Sequence, residues 1–358
     1  HPDRKFLMKN VSELESIADT DAGGEIKSLV ESGRDGHCSV RIDDVNYMIY
    51  FSSVPRTGWT ISIQCPENEV YGGVDRMKSS TTIIAIVSIL IMSLILVMLF
   101  RRFQNVSVKE AGIKKELNVA HGIQSEMLPK VLVTTGVGSN LDVFGFQKPA
   151  KSVGGDLYDY FTRDNKFFFC IGDVSGKGIP ASLYMVVILA LFRNISRKES
   201  DPARIAEELN NTLSSSNNTS MFCTMFFGVL DLETGKLEFC NAGHNRPMIY
   251  RCSTDEVSYQ NVNSNVALGI VEDFSYCKEE MNVEKGDAIF LYTDGLTEAE
   301  NEEKTLFGDD AALEAFGRSV SGNGSRQCID KVLESVLHHA QKTEQNDDIT
   351  MLMVKINS

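Results

Sequence analysis

The chain has 358 residues, with 35 lysines and arginines against 49 aspartates and glutamates, for a net charge of −14 at pH 7. That acidic surplus argues against nucleic acid as a partner, and the length allows two or three folding units with no evident internal repeat. Its eight cysteines include no C-x2-C pair, and neither an H-E-x-x-H run nor a close His/Cys cluster occurs, which disfavours zinc.

The first predicted element is a hairpin. Gly36-His37-Cys38-Ser39-Val40 to Phe51 carries strand-like runs around Asp43-Asp44, and Thr57-Gly58-Trp59-Thr60-Ile61-Ser62-Ile63 reads as a further strand. This order resembles the membrane-proximal end of a Cache-type extracytoplasmic sensor. The resemblance implies that residues 1–78 are a truncated sensor segment of mixed α/β type. Its ligand-binding part and a first membrane helix are then expected before His1-Pro2, where neither an initiator Met nor a signal sequence stands. Cys38 and Cys65 are the cysteines of this segment, and no disulfide between them is expected because nothing in the sequence sets their separation.

From Ser79 to Phe100 the chain has no charged residue, and at about 1.5 Å per residue such a run crosses a hydrocarbon core of about 30 Å. The prediction for residues 79–100 is a transmembrane helix rather than a buried core helix. Arg101, Arg102, Lys109, Lys114 and Lys115 outnumber Arg76 and Lys78 on the other side. The positive-inside bias therefore places the C-terminal part in the cytoplasm and the residues before the span outside.

Residues 101–135 read as a cytoplasmic linker helix. Ile113, Leu117, Ala120, Met127 and Leu128 recur at helical spacing among charged residues, and Pro129 ends the pattern. Gly112 and Gly122 weaken it by about 1 kcal/mol each relative to alanine. The segment is short for a HAMP-type relay, so the helix is expected to pair with its twin in a homodimer and act directly on the domain beyond it.

From residue 136 onward, apolar runs alternate with aspartates in turn-rich settings. Asp156 stands in Gly154-Gly155-Asp156, Asp173 in Gly172-Asp173-Val174-Ser175-Gly176, Asp294 in Thr293-Asp294-Gly295 and Asp347 in Asn346-Asp347-Asp348-Ile349-Thr350. Lys166 to Asp173 (KFFFCIGD) and Asp287 to Asp294 (DAIFLYTD) read as strands carrying an acid at the exit. Before Ile349 to Ile356 (ITMLMVKI) the acid stands at the entrance. Converging tips would set carboxylates against one another at about 4 kcal/mol per close pair for an effective dielectric near 20, a cost that divalent cations remove. Oxygen-only ligands select Mg2+ or Mn2+. Any one of these aspartates is equally well read as a turn former; four with this local sequence point to a metal site.

A P-loop reading of residues 172–178 fails, because the glycine spacing is one residue short and Gly178 stands where a hydroxyl belongs. Pro180 suits the first turn of a helix running from Ala181 to about Arg193, so apolar that burial behind the site is predicted. Ser214 to Ser220 is a polar surface loop.

Five blocks carry a second resemblance. They are Lys148-Pro149-Ala150-Lys151-Ser152-Val153-Gly154-Gly155-Asp156-Leu157-Tyr158-Asp159, Gly172-Asp173-Val174-Ser175-Gly176-Lys177-Gly178-Ile179-Pro180-Ala181, Asn241-Ala242-Gly243-His244-Asn245, Tyr292-Thr293-Asp294-Gly295-Leu296-Thr297-Glu298-Ala299 and Asn346-Asp347-Asp348-Ile349-Thr350. In this order they closely resemble the SpoIIE/RsbU branch of the metal-dependent (PPM, protein phosphatase 2C-like) serine/threonine phosphatases, over Leu141 to Ser358. The resemblance implies an α+β fold, a two-sheet β-sandwich flanked by helices with two metal ions at one edge. Periodicity alone yields only mixed α and β.

By the same resemblance, Asp156, Asp173 and the backbone carbonyl of Val174 hold one or both Mn2+ or Mg2+ ions, and Asp294 and Asp347 close the second. Gly155 and Gly176 would let backbone approach the ions. Lys151 or Lys177 would orient the substrate phosphate, with Lys151 taken as the candidate. Val174-Ser175 follows Asp173 where the wider family places a histidine often assigned as general acid, so leaving-group protonation is unassigned. His244 is read as a turn residue satisfied by its own loop and is left off the catalytic set. The implied function is a membrane-anchored phosphoserine/phosphothreonine phosphatase acting on a STAS-type anti-sigma-factor antagonist in bacterial partner switching. The rival reading is a non-catalytic scaffold of the same fold.

Overall fold

The computed structural model describes residues 23–42, 44–129, 141–215, 220–263 and 265–357. Asp43 of the predicted hairpin turn, the end of the linker segment and residues 216–219 of the polar loop lie outside the described residues. The chain divides into two units between Ser107 and Val108.

In the first unit, α1 (Gly23–Glu31) is followed by β1 (Gly36–Ile42), β2 (Val45–Val54) and β3 (Trp59–Pro66), an antiparallel sheet in the order β1-β2-β3. Alternation places Cys38 and Val40 of β1 with Ile49 and Phe51 of β2 in a small core against Val30 of α1. Cys38 lies opposite Ile49 and Cys65 opposite Met48, on the two flanks of β2. Two strand spacings, about 10 Å, separate them, beyond the reach of a disulfide.

Where the sequence suggests a membrane span and a separate linker, the structure has one helix of 61 residues, α2 (Glu67–Met127). Gly112 and Gly122 do not interrupt it, since a penalty of about 1 kcal/mol is small beside an unbroken hydrogen-bond ladder. The helix contains one stretch long and apolar enough to cross a membrane, none of it buried by the rest of the chain. It ends two residues short of Pro129, consistent with the backbone restriction before a proline.

The second unit is built on two five-stranded antiparallel sheets. One runs β10 (Glu256–Tyr259), β9 (Met248–Arg251), β12 (Ala288–Tyr292), β13 (Ile349–Ile356), β4 (Leu141–Lys148). The other runs β11 (Glu279–Asn282), β8 (Lys236–Ala242), β7 (Cys223–Asp231), β6 (Lys166–Val174), β5 (Leu157–Arg163). Period-two alternation sorts the residues of β12 and β13 between two cores. Ile289, Leu291, Leu352 and Val354 join the core that includes β5 to β8. Ala288, Phe290, Met351 and Met353 pack with Phe316 of α6 (Asp309–Val320) and Val332 of α7 (Ser325–Ala340). Strand β6 lies between two neighbours and is covered on both faces, which explains its continuous apolar run.

Helix α3 (Ile179–Ile195) lies beyond β6, and α4 (Pro202–Ser214) follows with Asp201 capping its first amides. The predicted burial of α3 holds for one face only. Ala181, Met185, Ile188, Leu189 and Phe192 are buried, but Ile179, Leu183 and Val187 are 52%, 63% and 48% exposed. At 3.6 residues per turn those three fall on the opposite side, so apolar composition alone overstates how much of the helix is covered.

Candidate metal centre

Strand pairing brings the first two aspartates together. Leu157 of β5 pairs with Gly172 of β6, so continuing the register by one residue sets Asp156 opposite Asp173. The two carboxyl groups act directly on each other's ionisation. The other two arrive from the facing sheet. Asp294 opens the short helix α5 (Asp294–Thr297) directly after β12, rather than standing on the strand itself, and Asp347 lies two residues before β13.

The four lie close enough for their charges to act on one another. Burial, then the Asp173 charge, pushes Asp156 well above the usual carboxylate range. Asp173 is pushed up to about 7, by burial first and then by Asp294, Asp347 and Asp348. Asp294 rises to about 6, by burial first and then by Glu298 and Asp347. Like charges drawn together in a poorly solvated place disfavour the ionised form.

Residues that sequence reasoning missed hold this cluster. Thr293 Oγ1 donates to Asp156 Oδ2 at 2.7 Å and accepts from the Thr350 amide at 3.0 Å. The Asp348 carboxylate accepts from the Ala150 and Gly155 amides, each at 2.7 Å, fastening the segment before β5. Gln124, in the last turn of α2, donates to the Gly154 carbonyl at 2.7 Å and accepts from the Gly154 amide at 3.3 Å. Thr293 and Asp348 adjoin predicted ligands, and that adjacency is the signal that would have found them. Gln124 has none, being one polar residue in a charged helix.

The two glycines singled out act differently. A Cβ on Gly155 would lie 2.9 Å from the Val174 carbonyl oxygen, so its absence permits that close approach. Gly176 has open space around it but a φ of +87°, so conformation rather than room is what it supplies. Lys177 reaches the cluster, its Nζ 2.7 Å from Asp347 Oδ2 and 2.6 Å from the Asn346 carbonyl. Lys151 is exposed and makes no ion pair among the described residues.

His244 is held by its loop through the backbone alone, its amide donating to Asn241 Oδ1 at 2.7 Å. Its ring leaves the loop, with Nδ1 3.0 Å from Thr224 Oγ1, and Thr224 is the strand partner of Asp173. Burial pulls its pKa down to about 4. The ring is neutral at pH 7, which suits a packing and positioning role and not that of a proton donor.

Among the described residues, no group of three His, Cys, Asp or Glu side chains has a ready-made metal-coordinating geometry. The donor chemistry nevertheless fits a hard divalent cation. Four carboxylates and a carbonyl supply oxygen only, and burial together with neighbouring acids disfavours the ionised form of Asp156, Asp173 and Asp294, a cost that a bound cation would offset.

Two antiparallel sheets flanked by helices, with acids from both sheets at one edge, define a PP2C-type phosphatase domain. The SiaA-PP2C domain of Pseudomonas aeruginosa has this fold, matching with a TM-score of 0.61 at 23% identity over 70% of this chain and 98% of that domain. Phosphoserine phosphatase RsbU of Bacillus subtilis (strain 168) is 27% identical over 258 residues, which are 72% of this chain and 75% of RsbU. Protein IcfG of Synechocystis sp. (strain ATCC 27184 / PCC 6803 / Kazusa) is 26% identical over 278 residues, 70% of this chain and 43% of its own length. The family model for Stage II sporulation protein E (SpoIIE) matches residues 163–357. The chain belongs to the SpoIIE family and is a protein serine/threonine phosphatase. Asp156 falls just ahead of the matched residues.

Proposed function

We propose that the phosphatase is metal-dependent, with Asp156, Asp173, the Val174 carbonyl, Asp294 and Asp347 as the ligands of two Mn2+ or Mg2+ ions. The observation that carries this reading is the meeting of Asp156 and Asp173 by strand register with Asp294 and Asp347 from the facing sheet. Bound there, the ions would supply Lewis acidity toward the phosphate and the attacking water. Thr293 holds one Asp156 oxygen in place, and Asp348 fixes the backbone that carries Asp156. Burial of Asp156 and Val174 keeps bulk water from the inner side of the site.

The substrate in this reading is phosphoserine or phosphothreonine on a STAS-type anti-sigma-factor antagonist, in a bacterial partner-switching pathway. Likeness to RsbU, a phosphoserine phosphatase, supports it. Helix α2 anchors the chain in the cell membrane as a homodimer, with the phosphatase unit in the cytoplasm and the β1 to β3 unit outside as part of a Cache-type sensor. The uncharged run within α2 and the excess of Arg and Lys after it support this orientation.

The test is phosphate release by the full chain from phosphoserine peptides and p-nitrophenyl phosphate, with Mn2+, with EDTA and with Asp173→Asn. Turnover that needs Mn2+ and falls by about three orders of magnitude in the variant is expected. Turnover undiminished by EDTA would overturn metal dependence.

A further inference from the structure

Lys177 joins two loops across the edge of the acidic cluster. It lies between β6 and α3, and its Nζ bonds both the Asp347 carboxylate and the Asn346 carbonyl of the segment leading into β13. The residues on either side, Gly176 and Gly178, have φ of +87° and +79°, and a Cβ on either would meet nothing within 4 Å. Two unhindered glycines give the intervening lysine a pivot, because glycine changes φ and ψ at little steric cost. The Lys177 and Asp347 side chains are 42% and 28% exposed, so neither is locked in by packing.

We infer that Lys177 is a resident counter-cation that competes with a divalent ion for Asp347 and swings out on its glycine pivot when the ion binds. The inference rests on the metal reading above. An ammonium bonded to Asp347 both occupies the lone pairs an ion would use and repels the incoming ion. Asp156 and Asp173 make no ion pair with a lysine or arginine among the described residues, so the competition falls on the Asp294/Asp347 half. The two ions should therefore bind with unequal affinity, the weaker one on the Lys177 side.

Calorimetric titration of the full chain with Mn2+ tests this. With Lys177→Gln the weaker ion should bind about tenfold more tightly, from loss of one positive charge a few ångströms away, while Lys177→Arg should stay near wild type. Unchanged or weaker binding in Lys177→Gln would overturn the inference.

A second readout uses the wild type alone. Acylation of Lys177 by acetic anhydride, measured by mass spectrometry against Lys151 as internal reference, should rise when Mn2+ is added. Unchanged or reduced reactivity would also overturn it. Wild-type chain that takes up no Mn2+ removes both the metal reading and this one, whereas normal uptake with an unresponsive Lys177 removes only this one.

Discussion

The two halves of the acidic cluster are built on different principles. Asp156 and Asp173 are set against each other by the ladder between β5 and β6, with Asp156 1% exposed and tied to Thr293. Asp294 and Asp347 sit on the connections at the ends of β12 and β13, and Asp347 keeps a lysine partner. A strand ladder fixes register, so carboxylates placed by it cannot retreat from one another, whereas loop-borne ones can shift or recruit a counter-charge. The inner half thus demands a cation, and the outer half has one of its own.

The sharpest test of this contrast is substitution on each side without metal. Asp173→Asn removes a charge that nothing compensates, so the chain in EDTA should melt at a higher temperature than wild type even as turnover collapses. Asp347→Asn should gain less or lose stability, because Lys177 is left unpaired. Equal shifts in paired thermal melts would erase the distinction between the halves.

Acidity provides the next lever. Asp173, at about 7, and Asp294, at about 6, titrate above the unfolded carboxylate value, which is about 4. The folded metal-free chain therefore retains protons that the unfolded chain has released. The stability these groups contribute is present below pH ~4 and lost as pH rises through 6 and 7. Melting temperature in EDTA should decline between pH 5 and 8, and Mn2+ should flatten the decline. A metal-free profile that rises over this range would contradict the assignment.

A smaller effect is expected from Thr293→Val, which strands the Asp156 oxygen and the Thr350 amide and should cost about 1–3 kcal/mol in denaturant unfolding. Thr293→Ser should recover most of it. The smallest belongs to Lys151→Ala, where exposure predicts a stability change within about 0.5 kcal/mol, while a raised KM is expected if Lys151 orients the substrate phosphate. An unaltered KM would remove Lys151 from the substrate site.

Much of this was legible in the residues because strands announce themselves by period. The runs from Lys166 and from Ile349 became β6 and β13 with little adjustment, and the five blocks mark the edge where the acids meet. What escaped depends on long-range pairing that no local pattern encodes. Thr293 matters because Thr350 and Asp156 converge on its hydroxyl, 57 and 137 residues away in sequence. The wet side of α3 escaped because hydropathy counts apolar residues without saying which of them meets a neighbour. In the Asp347-Asp348 doublet only Asp347 is a predicted ligand, and the separate work of its neighbour escaped: Asp347 faces Lys177, while Asp348 holds backbone amides.

The carboxamide of Gln124 meets the Gly154 peptide as one peptide meets another in a sheet, giving and receiving a bond at the same site. That makes the end of α2 a key cut for a single notch. Sliding the helix by one residue moves its side chains by about 1.5 Å along the axis and turns them by about 100°, and either displacement breaks both bonds together. Both bonds thus stand or fall together, and they land on Gly154, two residues upstream of Asp156.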